Sequence, residues 1–332
     1  MKNRQTCSLM IFLALAFPLL LLQAQAAAAP PAKAEEPADA STDLIRLNYY
    51  PHSGKLAVSP LFSFSTTDTT TYTSPSGITT ESDSTSYSQL NLNLQYGLPA
   101  GFRIGVSATE LLHEGVTYTS FKNGSANSST SATGSGLSDP TFQIAYRALP
   151  ETSQGYSADV SLSIMPDWVE NKSAEPNQDG TNGAGYGSVS LAVPIYWSSQ
   201  WNELELSPGV GRNFKKTATS GVLYTDAPYW FSSLLIQDRI HLGDQWFVQP
   251  SLGLHSDTSY ETTIGGKNYQ KGNSFNAVPQ LFVGYLASAQ TLLDVELTYT
   301  SNSSTTLTDL TGYVSTAQNE LLAIYLQAKF QF

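Results

Sequence analysis

Cysteine is all but missing: Cys7 is the only one in 332 residues. A lone thiol excludes a disulfide framework, a zinc–thiolate site and an iron–sulfur cluster. Charge is scarce too. Charged residues make up 13% of the chain, about half the ~25% usual in soluble domains. Acidic residues number 27 and basic residues 16, for a net charge of −11. That balance argues against nucleic acid as a partner, because phosphate binding needs a basic surface. Long hydrophobic runs are confined to the N-terminus, so a bundle of membrane-spanning helices is excluded. Hydrophobic content is only 41%, and Ser, Thr, Asn, Gln and Gly fill the difference.

The N-terminus carries the features of an address. Lys2 and Arg4 form a basic start, Cys7 to Leu22 is a short apolar core broken by Pro18, and Ala24-Gln25-Ala26 is an A-x-A cleavage site. Residues 1–26 are read as a secretory signal peptide. Residues 27–55 begin Ala/Pro-rich and acidic, as a periplasmic linker would. They end in Leu44, Ile45, Leu47, Tyr49 and Tyr50, apolar enough for a short plug or only a lead-in.

From residue 56 to 332 the dominant period is two. Leu90, Leu92, Leu94, Tyr96 and Leu98 alternate with Gln89, Asn91, Asn93 and Gln95, which gives one clean face only as a strand. The pattern recurs at 56–66, 87–98, 102–110, 140–149, 156–167, 187–197, 202–212, 228–242, 246–255, 274–286, 291–301 and 320–332. Each segment is long enough to cross a bilayer when tilted, which takes about 9–11 residues. Connections alternate between short turns and long Ser/Thr/Asn/Gly-rich loops, the asymmetry of a bacterial outer-membrane barrel with both termini in the periplasm. The expected fold is therefore all-β, a twelve-stranded antiparallel transmembrane barrel over residues 56–332.

A secreted β-sandwich also alternates, but three features weigh against it. The polar face is amide and hydroxyl rather than Lys and Glu. Trp197, Trp201 and Trp246 fall at the short-turn rim, and Trp168 and Trp230 near the other, as two interfacial girdles. The last strand places Leu322, Ile324, Leu326, Ala328, Phe330 and Phe332 on one face. It resembles the C-terminal signal that barrel assembly machinery recognises, with Phe332 as the contact.

The run from Gly134 to Arg147, with Gly134, Gly136, Leu137, Ser138, Asp139 and Pro140 followed by an alternating strand ending Tyr146-Arg147, resembles the signature of an outer-membrane family. That family is labelled MetA pathway of phenol degradation, or simply "transporter". Ser138 stands where the family has a second Gly. The resemblance implies a barrel and uptake of small hydrophobic or aromatic compounds, and it transfers no functional residues. A dinucleotide loop is excluded, since no helix follows and the third Gly is missing.

Strand parity assigns the lumen. Inward charges are Arg103, Arg147, Asp159, Glu203, Glu205, Arg239, Asp294, Glu296 and Lys329, all toward the periplasmic half. Arg147 should face Asp159 across a hairpin, Glu203 and Glu205 should lie near Arg239, and Asp294 and Glu296 near Lys329. Such a set forms either a salt-bridge network closing the lower barrel or a charged constriction that filters solutes. The upper lumen presents Gln89, Asn91, Asn93, Tyr229, Phe231, His255, Asn276, Gln280, Thr298 and Tyr325. Of these, Asn91, Asn93, Tyr229, Phe231, His255, Gln280 and Tyr325 are the candidate solute-binding residues, because amides with aromatic faces suit a neutral or aromatic solute better than an ion.

Enzymatic barrels need a Ser–His pair with an orienting group. The candidates are His255 with Ser256 and Asp257, and His113 with Glu114; neither resembles the His-Glu-Ser-Asn-Gly run of the outer-membrane phospholipase, and Ser256 adjoins His255, so their side chains point to opposite faces of a strand. No catalytic residue, cofactor or metal site is assigned; Asp257 and Glu261 read as solvated loop acids. The expected role is an outer-membrane channel that passively admits small neutral, aromatic or amphipathic solutes, with outer-membrane lipid as its surroundings. The alternative is a non-conducting structural or adhesive barrel acting through its Ser/Thr-rich loops. An open or an occluded lumen distinguishes them.

Overall fold

Alternating side chains can face water on one side of a sheet and hydrocarbon on the other only if every backbone group between them is paired. The computed structural model describes residues 44–332 except 74–78, 123–124, 170, 173–180, 183–185, 200, 221, 265, 303–304 and 310–313. Residues 1–43, which include the segment expected to be a signal peptide and most of the expected linker, lie outside the described residues. The barrel strands are β1 (Leu56–Thr73), β2 (Thr79–Gly97), β3 (Phe102–Lys122), β4 (Thr141–Leu149), β5 (Tyr156–Met165) and β6 (Ser188–Ala192, resuming at Ile195–Ser198). They continue as β7 (Asn202–Asn213), β8 (Tyr229–His241), β9 (Trp246–Asp257), β10 (Ser274–Ser288), β11 (Thr291–Asn302) and β12 (Val314–Gln331).

Each strand pairs antiparallel with the next, and β12 returns to β1, with Val58 opposite Phe330. The last residue completes the seam: the Phe332 N–H donates to the Leu56 carbonyl at 2.8 Å and the Leu56 N–H to the Phe332 carbonyl at 3.1 Å. A closed sheet has no edge, so its backbone is satisfied even in hydrocarbon. Pro194 interrupts β6, yet its carbonyl still accepts from the Asp159 N–H, and the Val193 N–H reaches the Pro208 carbonyl.

The outward face is apolar and exposed. Phe64, Leu92, Ile104, Ile144, Ile164, Leu206, Leu281, Val295 and Leu326 all lie on it. Trp246 packs at a tilt against Tyr285 at the short-turn rim, 4.6 Å between centroids, and Phe142 meets Trp168 edge-on at the opposite rim. An apolar band between two aromatic girdles on a closed barrel has a bilayer as its solvent, and the length asymmetry of the connections places it in the bacterial outer membrane. On the inner face, Ser59, Ser63, Ser157, Ser161, Gln249 and Thr298 are buried.

Strands β1, β2, β3 and β12 run well beyond the lengths read from alternation. Segments expected as long loops continue the sheet above the membrane: Ser125–Leu137 pairs back on β3, Lys216–Ser220 with Val222–Asp226, Tyr260–Ile264 with Lys267–Lys271, and Thr305–Asp309 with β12. Their Thr residues are β-branched and suit extended backbone, so a Ser/Thr-rich composition here marks strand as much as loop. The apolar cluster of buried residues lies at one end of the barrel rather than its middle, where Leu44, Ile45, Tyr49, Ala57, Phe247, Leu286 and Leu292 meet.

Candidate functional site: a lumen with a built-in floor

Residues 44–55 belong to neither a helix nor a strand and lie across the periplasmic end of the lumen. Leu44 is 0% exposed and packs with Ile45 and Tyr49 against Phe247, Leu286 and Leu292. Polar groups fix the rest. The Arg46 guanidinium reaches Glu151 at 2.7 Å and Glu203 at 3.2 Å, and the Leu47 N–H also donates to Glu203. Asn48 donates to Ser157 at 3.2 Å, and its carbonyl accepts from Arg147 at 2.9 Å. The Tyr50 hydroxyl lies 2.9 Å from the Ala145 carbonyl and 3.0 Å from that of Gly101, with the Arg103 and Arg147 guanidiniums 4.6 and 4.7 Å from its ring centre. On the far side Lys329 sits over Tyr49 at 4.7 Å, and Arg239 donates to the Ile45 carbonyl at 2.5 Å. The segment leaves over Gly97, where any Cβ would collide with the carbonyls of Pro51 and His52; the Gly54 N–H bonds the Gly97 carbonyl there at 2.9 Å.

This floor changes the meaning of the inward charges. Arg147 and Asp159 face each other in register and form an ion pair. Glu203 lies opposite Arg239 in register, yet its carboxylate is taken by Arg46, the Leu47 N–H and His241. Arg239 bonds the Ile45 carbonyl and Gln249 and covers the Phe247 ring at 4.0 Å. Glu205 accepts from Gln237 at 2.5 Å. Glu296 accepts from Gln280 and Thr298, both at 2.6 Å, while Asp294 faces Gln327 and Lys329 faces Leu292 in register. Of the three groupings expected from parity, only Arg147–Asp159 is an ion pair among the described residues. Five of the nine, Arg103, Arg147, Glu203, Arg239 and Lys329, form a seat for residues 44–50. Burial holds the Tyr50 phenol neutral, with its pKa pushed up to about 12. The Arg46 guanidinium is desolvated, but the Glu151 and Glu203 carboxylates more than compensate and raise its pKa.

The upper lumen divides in two. On β8 and β9, Tyr229 stacks on Tyr260 with centroids 4.2 Å apart and planes 12° from parallel, and Phe231 stacks on His255 at 5.4 Å. His255 Nε2 lies 2.8 Å from Asp257 Oδ1, and Ser274 donates to the other carboxylate oxygen at 2.6 Å. Gly211 lacks the Cβ that would strike the Phe231 ring. Tyr260, which parity did not single out, completes this wall and accepts from Lys271 at 2.6 Å. Asn91 and Asn93 lie on β2 and Tyr325 on β12, a separate stretch of the barrel. Two of the wall amides already have partners: Asn91 donates to Ser107 at 3.1 Å and Thr109 at 2.8 Å, and Gln280 on β10 is held by Glu296 and Ser251. Ser256 donates to the Ser274 carbonyl at 3.0 Å, away from His255.

The Gly134–Arg147 segment builds a corner. The Ser138 N–H bonds the Thr109 carbonyl at 2.7 Å, and the Thr109 N–H returns to the Ser138 hydroxyl at 3.0 Å. Asp139, buried, accepts from the Trp168 and Val169 N–H groups at 2.6 and 2.7 Å. The segment thus anchors an extracellular connection to the top of β4.

No protein-family model matches the chain, and no curated protein sequence matches it. The family resemblance of residues 134–147 therefore rests on that segment. Solved structures do match. An outer-membrane channel from Pseudomonas putida F1 superposes with a TM-score of 0.53 at 12% identity, covering 92% of this chain and 100% of that one. The transport unit of the autotransporter AIDA-I from Escherichia coli follows at 0.48 and 10% identity, over 88% and 95% of the two chains. A mutant of the TodX monoaromatic hydrocarbon channel gives 0.46 and 11%, over 89% and 92%. At such identities the first of these likenesses shows the fold, an outer-membrane barrel.

Proposed function

We propose that this chain is a gated outer-membrane channel for small neutral, aromatic or amphipathic solutes. The observation that carries the reading is the pairing of an aromatic upper wall with a floor made from the chain's own residues 44–55. A solute enters from outside and meets the ring faces of Tyr229, Phe231, His255 and Tyr260. Flat apolar rings bind such guests by burial and stacking. Fixed charges lower down are engaged by the floor or by wall partners, so they exert little net field on a neutral guest. Passage to the periplasm then requires residues 44–55 to shift. The movement is passive, and the chain is not an enzyme in this reading, since the His255–Ser256 pair splits across the wall. The Pseudomonas putida protein that shares the fold is itself an outer-membrane channel, which supports this role.

One observation favours the second reading, a structural or adhesive barrel: the lumen is filled at its periplasmic end. Liposome uptake separates the two. A channel gives saturable entry of small aromatic solutes with the intact chain, rising when residues 44–52 are deleted. An adhesive barrel gives no uptake above empty liposomes until the floor is removed.

A further inference from the structure

Most of the described cations of the barrel wall point inward and are engaged by the floor or by neighbouring side chains. Arg212 is different. It lies on β7, outward and exposed, directly opposite Trp230 of β8 in register. Its guanidinium carbon sits 5.4 Å from the centre of the Trp230 ring. Lys215, three residues on, is exposed as well. Neither has a carboxylate within ion-pair distance among the described residues, in a chain where acidic residues outnumber basic ones 27 to 16.

The height of this pair on the wall is set by strand geometry. Arg212 is ten residues beyond Asn202, which follows Trp201 at the periplasmic girdle. At a rise of about 3.3 Å per residue and a tilt of ~40°, ten residues climb about 25 Å, the full height of the apolar band. Arg212 and Trp230 therefore sit where the outer-leaflet acyl chains give way to headgroups. Below them on the same face are Leu206, Pro208 and Val210. The Trp230 ring holds the guanidinium plane in place, and the planar fork of Arg matches two oxygens of a phosphate. Lys215 lies past the last residue of β7, Asn213, where strand alternation no longer sets its direction, and residues three apart lie within about 10 Å, so its ammonium can reach the same anion.

We propose that Arg212 and Lys215, with Trp230 as the platform beneath the guanidinium, form a binding site on the outside of the barrel for the phosphate of an outer-leaflet glycolipid. The location favours a lipid over free phosphate: the cations stand above an apolar wall that acyl chains cover, and one molecule satisfies both. The site is independent of the lumen and of whether the chain conducts.

The test uses the full chain in detergent micelles and diphosphoryl lipid A as the probe, with native mass spectrometry and the midpoint of thermal unfolding as readouts. Dephosphorylated lipid A, inorganic phosphate and the exposed-cation control Lys122→Gln form the other arms. Wild type and Lys122→Gln are expected to retain lipid A and gain several degrees in midpoint. Arg212→Gln/Lys215→Gln should weaken retention at least tenfold. Arg212→Lys, which keeps the charge but loses the fork, should fall between them and stands as the readout if the double variant folds poorly. Equal retention of lipid A by the double variant or by Arg212→Lys, equal binding of the dephosphorylated lipid, or an equal shift with inorganic phosphate would each overturn the proposal.

Discussion

Arg46 and Glu203 stand 157 positions apart in the chain and 3.2 Å apart in space. One belongs to the segment before the first strand and the other to β7, and their contact ties the floor to the wall. The same carboxylate also receives the Leu47 N–H and His241, which makes it the anchor with the most to lose. Hydrogen bonds to charged groups are each worth about 1.5–3 kcal/mol, and every 1.4 kcal/mol is tenfold in an equilibrium. Glu203→Gln or Arg46→Ala should therefore raise the open-to-closed ratio in planar-bilayer recordings by about tenfold or more. Unchanged conductance in both variants would mean the floor does not gate.

Arg147→Ala should be costly for a different reason. It leaves Asp159, 1% exposed, as an unpaired charge, a loss of about 3–5 kcal/mol where the site stays dry. Arg147→Ala/Asp159→Ala should recover part of that loss because no lone charge remains. Urea midpoints of the folded species, followed by its gel mobility, report both.

Alkaline pH should loosen the floor through Tyr50. Its phenol rises from 10.0 to about 12 in the folded chain, so the fold favours the neutral form. That contribution is whole below pH 10 and is lost as pH climbs through 12. The difference in conductance between wild type and Tyr50→Phe should be constant up to pH 10 and change only above it. A difference that changes between pH 6 and 9 would assign the effect to other groups.

Replacing Tyr229 and Phe231 with Ala removes two of the stacked rings of the upper wall. The half-saturation concentration for uptake of a small aromatic solute should rise about tenfold, the effect of losing ~1.4 kcal/mol of ring contact, with little change in ion conductance. Uptake indifferent to both rings would place recognition elsewhere in the lumen.

Deleting Phe332 takes two backbone hydrogen bonds from the β1–β12 seam, those with Leu56, together with the proposed contact for the assembly machinery. The heat-modifiable form should accumulate more slowly in cells. If the purified variant refolds at the wild-type rate in vitro while assembly in cells is slowed, the loss belongs to recognition rather than to seam closure.

The strands were legible from residues alone because their signal is local. Period-two alternation reports which face meets lipid, and 291–301 and 202–212 fall within a residue of Thr291–Asn302 and Asn202–Asn213. Arg147 opposite Asp159 was legible too, since a tight hairpin fixes register. The inward charges were visible by parity, but their partners were not. Residues 44–50 have no period to read, and their contacts exist only because closing twelve strands gathers β3, β4, β7, β8 and β12 around one small volume. Side chains far away in sequence, Arg147 on Asn48 at 99 positions, Arg239 on Ile45 at 194 and Gln331 on Tyr49 at 282, become neighbours there. Composition and alternation thus determined a barrel, its membrane and its two faces. Tertiary closure decided that Arg103, Arg147, Glu203, Arg239 and Lys329 seat residues 44–50, that Asn91 and Gln280 are held by wall partners, and that the rings of Tyr229 and Phe231 stack on Tyr260 and His255.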